Sequence, residues 1–450
     1  MKINPDLLIE QEWACTLFPA DHPELAFPGV LKHSPTSGLT LQFATPIDAR
    51  YDEDYHHLHG YTSAGVAITL VGNFSTKTAG LNLRSGMAYH TSKGHPFQFA
   101  IFGHHFAADS AFIEYTFDIA GADAFFARSG SIALIPFGSE PLFRALSGSC
   151  EFSGRFTGTF NSLPPRLSDY ILGNDDDAMA ELQAAYTTIR EKHQDFRPLI
   201  KKSAKFAFKL SIPDGADVMS AQRNCQAVAD LFAILFFGPA KLSRLTATVK
   251  DEKGFPHEFD VFPWRLSEAG SLQRAADDKS YLHLPLNNLD VNFGELLSKW
   301  MQISDKFSTT LSIVQSSTTL ISESEVLSRI VLNVAQLEGM AHEAGKHENQ
   351  KKYQYGIDTY SSPFLSNFLK SLLRREASDL GKAISDLRND IAHMGRPRTY
   401  LDKMSFRDKY AACLALEAVI IGYVLDQLGA SKTSVEKYQK TLISMIQRKD

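Results

Sequence analysis

Near its C-terminus the chain reads Arg388-Asn389-Asp390-Ile391-Ala392-His393. A permanent cation, an amide and an imidazole in so short a run suit one kind of chemistry: cleavage of a ribose-phosphate backbone. RNA carries its own nucleophile in the ribose 2'-hydroxyl. A histidine titrates near neutrality, so His393 can take that proton or give one to the leaving oxygen. Arg388 stays charged and can grip the phosphate through two hydrogen bonds as negative charge builds on phosphorus. Asn389 has donor and acceptor groups with which to orient His393 or bond the phosphate. No metal is needed, and the expected products are a 2',3'-cyclic phosphate and a 5'-hydroxyl.

Helical spacing qualifies this picture. Asn389 and His393 lie one turn apart, whereas Arg388 and His393 are about 140° apart around the axis. A long guanidinium arm leaning round the helix would bring them together. So would a two-fold dimer that places the Arg388 and His393 of both copies in one cleft. The bland reading is that Arg388 faces Asp386 or Asp390 in a surface pair worth almost nothing. Gly395 and Pro397 would end the helix and present Arg396 and Arg398 as candidate RNA contacts. Between Lys382 and Lys409 there are seven Lys or Arg against four Asp, opposite in sign to the whole chain's net charge of -5.

These residues must be held by a larger frame. At 450 residues the chain exceeds what one core usually covers, and its 44% apolar and 22% charged content is that of a folded protein. The first 165 residues or so read as strands: 66–71, 97–102, 112–117 and 131–136 are rich in β-branched and aromatic residues and punctuated by glycine. In 112–117, Phe112, Glu114 and Thr116 alternate with Ile113, Tyr115 and Phe117, which predicts one wetter face. Helices are expected from Asp175 to about His193 and from Val218 to Phe237, stopping before Gly238-Pro239. Strands follow at 245–249 and 257–262. The Ser/Thr-rich stretch 309–322 suits a connection or a weak strand. Beyond it the period becomes 3.6, with Val326, Ile330, Val334, Leu337 and Ala341 on one face and Ser324 as the expected cap. Phe364, Phe368 and Leu372 mark a second helix, and Ile384, Leu387 and Ile391 a third. Tyr410 to Val424 and Val435 to Met445 continue the pattern, giving four or five helices. The expected fold is multidomain α+β: a sheet-rich region over 1–305 with a subdivision near 165–175, a linker over 306–319, and an all-α bundle over 320–450.

In that helical context, Leu387 to Gly395 resembles the signature of HEPN domains: arginine, a polar residue, variable positions, then histidine. Many HEPN domains are dimeric, metal-independent ribonucleases. The resemblance implies that Arg388 and His393 are the catalytic pair, that Asn389 is the accompanying polar residue, and that the bundle mediates a homodimer. The run Leu58-His59-Gly60-Tyr61, the strand Ile68-Thr69-Leu70-Val71-Gly72-Asn73-Phe74 and the aromatic strands after it resemble the first domain of ApeA-type bacterial defence proteins. That resemblance implies a sensor or restraint, a phage-derived trigger, and RNA cleavage, with transfer RNA one candidate substrate, that halts the infected cell.

Other classes are weaker. The four cysteines form no CxxC pair, and Gly-x-Gly-x-x-Gly and the phosphate loop are absent, so no cofactor is expected. His56, His57 and His59 with Asp52 and Asp54 have metal-like composition. However, His56 and His57 would point to opposite sides of a strand. Glu338 and His342 share a helix face that could border the RNA cleft. Asp175-Asp176-Asp177 reads as a negatively charged helix start. The N-terminus lacks the apolar run of a signal peptide, and 231–237 and 415–424 are too short or broken for a membrane span, so a cytoplasmic location is expected. Two alternatives remain: a non-catalytic module docking RNA or protein, and a ligand-binding enzyme site in the sheet region.

Overall fold

The computed structural model describes residues 3–46, 54–76, 79–84, 87–126, 140–169, 171, 173–194, 199–251, 253–263, 284–315, 322–346, 351–373, 380–393, 398 and 400–448. It begins with nine strands: β1 (Gln11–Pro19), β2 (Phe27–Ser34), β3 (Gly38–Pro46), β4 (Tyr55–Thr62), β5 (Ala67–Phe74), β6 (Gly80–Arg84), β7 (Met87–Phe97), β8 (Phe99–Phe102) and β9 (Phe112–Ile119). After the short α1 (Ala122–Phe126) come β10 (Phe143–Ser147), β11 (Cys150–Ser162), α2 (Asp176–Lys192), β12 (Leu199–Ala216), α3 (Val218–Phe236), β13 (Leu242–Lys250) and β14 (Pro256–Pro263). All pair antiparallel in a sheet ordered β10-β11-β12-β9-β13-β14-β8-β5-β4-β1-β2-β3-β7-β6. The expected sheet-rich region is thus present, though the 131–136 strand lies outside the described residues.

Alternation in β9 holds from Glu114 to Phe117, where Tyr115 and Phe117 are buried, but fails at its start: Phe112 is 2% exposed and Ile113 43%. The β9–β12 pairing is irregular at the same end, with Glu114 opposite Ser211 but Phe112 opposite Ala216. Gly72 (φ 148°) lets β5 pass close to the end of β7, since a Cβ there would lie 3.1 Å from the Phe97 Cα and the Gln98 nitrogen.

Helices α4 (Phe293–Ile303) and α5 (Ser308–Gln315) lead into the bundle. Residues 308–315 are therefore helical rather than a weak strand or free linker. Gln315 explains this: its side chain donates to Asp230 Oδ1 at 2.8 Å and accepts from the Ala240 amide at 3.2 Å, so docking on α3 overrides a Ser/Thr-rich composition. The bundle comprises α6 (Glu323–Glu343), α7 (Lys351–Tyr360), α8 (Pro363–Leu373), α9 (Leu380–Ala392), α10 (Phe406–Gln427) and α11 (Lys432–Arg448). Helix α7 was not expected from the apolar pattern. Ser322, not Ser324, caps α6, through the Glu325 amide. In α8 the inward face is Leu365, Leu369 and Leu373, one position beyond the expected set, and Phe364 is 38% exposed.

One contiguous set of buried apolar side chains joins sheet and bundle. Phe125, Phe126, Phe143, Phe206, Phe208, Phe232 and Phe293 interlock from α1, β10, β12, α3 and α4, with Phe126 and Phe206 stacked at 3.7 Å. Trp300 Nε1 of α4 donates to Ala227 O of α3 at 2.7 Å, and polar ties reach the bundle at α11, where Tyr438 Oη donates to Ile234 O and Lys437 Nζ pairs with Asp290 at 2.6 Å. Lys306 Nζ reaches Glu343 Oε2 and Tyr423 Oη, both at 2.6 Å. Helix α10 is long and apolar enough to cross a membrane, but 83% of its most apolar stretch is buried inside the fold.

Candidate functional site

Helix α9 forms because Leu380, Ala383, Ile384 and Leu387 recur at helical spacing and all are buried. That inward stripe fixes the rest by geometry. Arg388 and Asn389 fall on its flanks and are half-buried, while His393, just past the last turn, is exposed. The His393 amide donates to Asn389 O at 3.0 Å, which keeps it one turn beyond Asn389. Arg388 Nη1 donates to Asn389 Oδ1 at 3.3 Å. Asn389 therefore links the two: its side chain meets Arg388 and its carbonyl meets His393. Arg388 and His393 themselves share no hydrogen bond among the described residues, in keeping with their angular separation.

Helices α6 and α7 pack beside α9 and complete its surroundings. Glu338, on α6, is paired with Lys352 of α7 and accepts from Tyr353 Oη at 3.3 Å. The hydrogen bond from Lys352 holds the Glu338 carboxyl below its ordinary range, and the charges of Lys352 and Arg388 act in the same direction. Glu338 is thus engaged in hydrogen bonds between α6 and α7, within the electrostatic reach of Arg388. Lys352 and Tyr353 were missed because their helix is short and polar on average, although Tyr353, Gly356 and Ile357 are buried at helical spacing.

Asp390 is the largest departure from expectation. It is not a surface partner of Arg388 but is 5% exposed, and its Oδ2 accepts the amides of Tyr400 at 2.6 Å and Leu401 at 3.2 Å. The signal was available, since position 390 continues the inward stripe of Ala383 and Leu387. Arg398 is exposed and lies 3.9 Å from Asp402, a weak pair that leaves its guanidinium open to solvent. Arg396 lies outside the described residues, as do Gly395 and Pro397.

The remaining candidates resolve differently. His59 Nε2 bonds Phe106 O and His105 Nε2 bonds Gly60 O, both at 2.9 Å, with the two rings stacked at 4.5 Å. Burial pushes the His57 and His59 imidazoles below their ordinary values. Among the described residues no group of His, Cys, Asp and Glu could hold a metal ion; Asp52 lies outside them. Asp175 caps α2 by accepting from the Asp177 and Ala178 amides, both at 3.0 Å.

On the outer face of β9 to β14 a concavity of about 510 Å³ is lined by Arg144, Arg155, Lys209, Arg244, Glu114, Glu151 and Glu258, among others. Arg144 pairs with Glu151, Lys209 with Glu114 and Arg244 with Glu258, at 3.1, 2.5 and 3.5 Å. Cross-strand pairing of this kind is how a solvated sheet face neutralises itself.

Residues 12–300 match the family described as ApeA N-terminal domain 1, and residues 316–434 match the Apea-like HEPN family. No curated protein and no solved structure matches the chain. The first match spans most of the sheet region, and the second contains α6 through α10 with Arg388, Asn389 and His393. The chain belongs to the ApeA-type HEPN family of anti-phage proteins, an ApeA N-terminal region running into a helical HEPN domain.

Proposed function

We propose that the bundle is an endoribonuclease that cuts RNA by attack of the ribose 2'-hydroxyl, within a cytoplasmic defence that halts an infected cell. The observation that carries this reading is the placement of three groups at one end of α9. Arg388 is braced by Asn389, and His393 stands exposed one turn beyond. His393 relays the proton of the attacking or leaving oxygen, and Arg388 binds the phosphate as its charge rises. Arg398, open to solvent, adds a phosphate contact beside it. Because Arg388 and His393 diverge around α9, the cleft is completed by a second copy docked through the bundle, with each phosphate seeing groups from both chains. Transfer RNA is one substrate class compatible with this chemistry. The sheet region restrains or releases the nuclease through its ties to α6 and α11, such as Lys306 to Glu343.

The test is cleavage of total RNA by the purified chain in excess chelator, with the cut ends mapped. The expected ends are a 2',3'-cyclic phosphate and a 5'-hydroxyl. His393→Ala should slow cleavage by about 10²–10⁴-fold and abolish growth arrest while leaving the fold intact. A His393→Ala protein that cuts as fast as its parent refutes the reading.

A further inference from the structure

Helix α2 is tied down along one face only. Gln183 Nε2 donates to Pro165 O at 2.9 Å and its Oε1 accepts the Leu167 amide at 2.8 Å. Tyr186, 8% exposed, gives its hydroxyl to Leu163 O at 3.4 Å. Met179 packs on the same side over Gly173, where a Cβ would lie 2.6 Å from Met179 Cγ. About 100° round the helix from that face runs a second stripe, Ala178, Leu182, Ala185 and Ile189, at spacings of four, three and four. All four are exposed, Leu182 by 45% and Ile189 by 47%. An apolar seam left open along a helix marks a contact surface.

The seam is complementary to itself. A two-fold axis crossing the helix between Gln183 and Ala184 sets Leu182 against the partner's Ala185, and Ala178 against the partner's Ile189. Large then meets small at every step, which lets the two helices interdigitate. Charge selects the same direction. Asp175, Asp176, Asp177 and Glu181 crowd the first half of α2 and its cap with no cation among them, whereas Arg190 and Lys192 flank Glu191 at the end. Parallel pairing would stack four acids on four. Antiparallel pairing brings them towards the partner's Arg190 and Lys192 and sets the two helix dipoles in opposition.

We infer that α2 is a docking surface for a second copy of this chain, paired antiparallel along the seam Ala178, Leu182, Ala185 and Ile189. This contact is separate from the one proposed for the bundle and does not rest on the nuclease reading. One pair of 17-residue helices lies at the small end of specific interfaces, so association is expected at micromolar concentration.

The test is register-specific crosslinking of the full-length chain in a Cys150→Ser background, the other three cysteines being buried. Chains carrying Ala178→Cys are mixed with chains carrying Ile189→Cys and treated with a short bismaleimide. The mixture should give a covalent dimer, whereas Ala178→Cys chains alone should not, because their two thiols lie about 16 Å apart along the axis. Adding Leu182→Glu to both chains should cut the yield at least tenfold at an unchanged melting temperature. A mixture that stays unlinked at every concentration overturns the inference and leaves the seam to a different protein or to another stretch of the same chain. Ala178→Cys chains that link to one another show parallel pairing and overturn it, as does a parental yield from the Leu182→Glu chains. A dimer held by the bundle alone leaves the crosslink silent, and so counts against the α2 contact.

Discussion

Arg329 of α6 and Glu417 of α10 form an ion pair in the middle of the bundle, with side chains only 8% and 4% exposed. The guanidinium gives two hydrogen bonds to the same oxygen, Nε at 3.0 Å and Nη2 at 2.7 Å from Glu417 Oε1. The other donors to that oxygen are the Asn333 amide, stretched to 3.5 Å, and the Cys413 thiol at 3.4 Å, an intrinsically weak donor. Burial, reinforced by the charge of Glu417, pushes the Cys413 thiol well up, so it remains a donor rather than a competing anion. Removing Arg329 thus strands a buried carboxylate. At about 1.5–3 kcal/mol for each hydrogen bond to a charged group, two lost bonds amount to about 3–6 kcal/mol. That agrees with the ~3–5 kcal/mol typical of breaking a buried pair.

Arg329→Met should therefore lower the stability of the helical signal in urea by several kcal/mol. The double replacement Arg329→Met with Glu417→Leu should recover most of the loss, because desolvation of both charges disappears with the pair. Arg329 Nη1, which has no hydrogen-bond partner among the described residues, adds to the reason for expecting recovery. The assay is urea unfolding followed by circular dichroism, with RNA cleavage measured on the same samples. An Arg329→Met protein within about 1 kcal/mol of its parent refutes the stranded-charge argument. A double variant as weak as the single one would show that packing, not charge, was lost.

Two further outcomes follow from the frame. Burial holds the Asp230 carboxyl above its ordinary value, against the lowering effect of hydrogen bonds from Gln226 and Gln315. A raised folded value favours folding fully only below the unfolded value, near pH ~4, and that contribution is lost as pH rises through the folded one. Asp230→Asn keeps the acceptor oxygen without the charge, so its melting temperature should exceed the parent's at neutral pH and converge with it in acid; a lower value at neutral pH would contradict this. At Gly294, a Cβ would lie 2.4 Å from the Arg144 carbonyl oxygen, backbone that cannot swing aside. Gly294→Ala should push α4 off β10 and cost about 1–3 kcal/mol, and an unchanged melting temperature would refute that contact.

Much of this protein is legible in one dimension. Alternation and aromatic enrichment identify the strands, apolar residues at 3.6 spacing identify α2, α3 and most of the bundle, and the Arg388–Asn389–His393 run marks the end of α9. These signals are local: a strand or amphipathic helix buries one face whatever lies opposite, so its pattern is written into neighbouring residues. Some misreadings were local, a one-residue slip in the inward face of α8 and in the cap of α6; others required a distant partner. Residues 308–315 coil into α5 because Gln315 finds Asp230 and Ala240 on another element. The start of β9 departs from its alternation where its pairing with β12 becomes irregular. Lys352 and Tyr353 reach Glu338 only because α7 packs alongside α6. Asp390 falls on the inward stripe of α9 by spacing, but only the fold returns the Tyr400 and Leu401 amides that meet it there. Periodicity determines which residues turn inward; which long-range donors and charges meet them there is decided only when the elements pack, because a hydrogen bond depends on distance in space and not on separation along the chain.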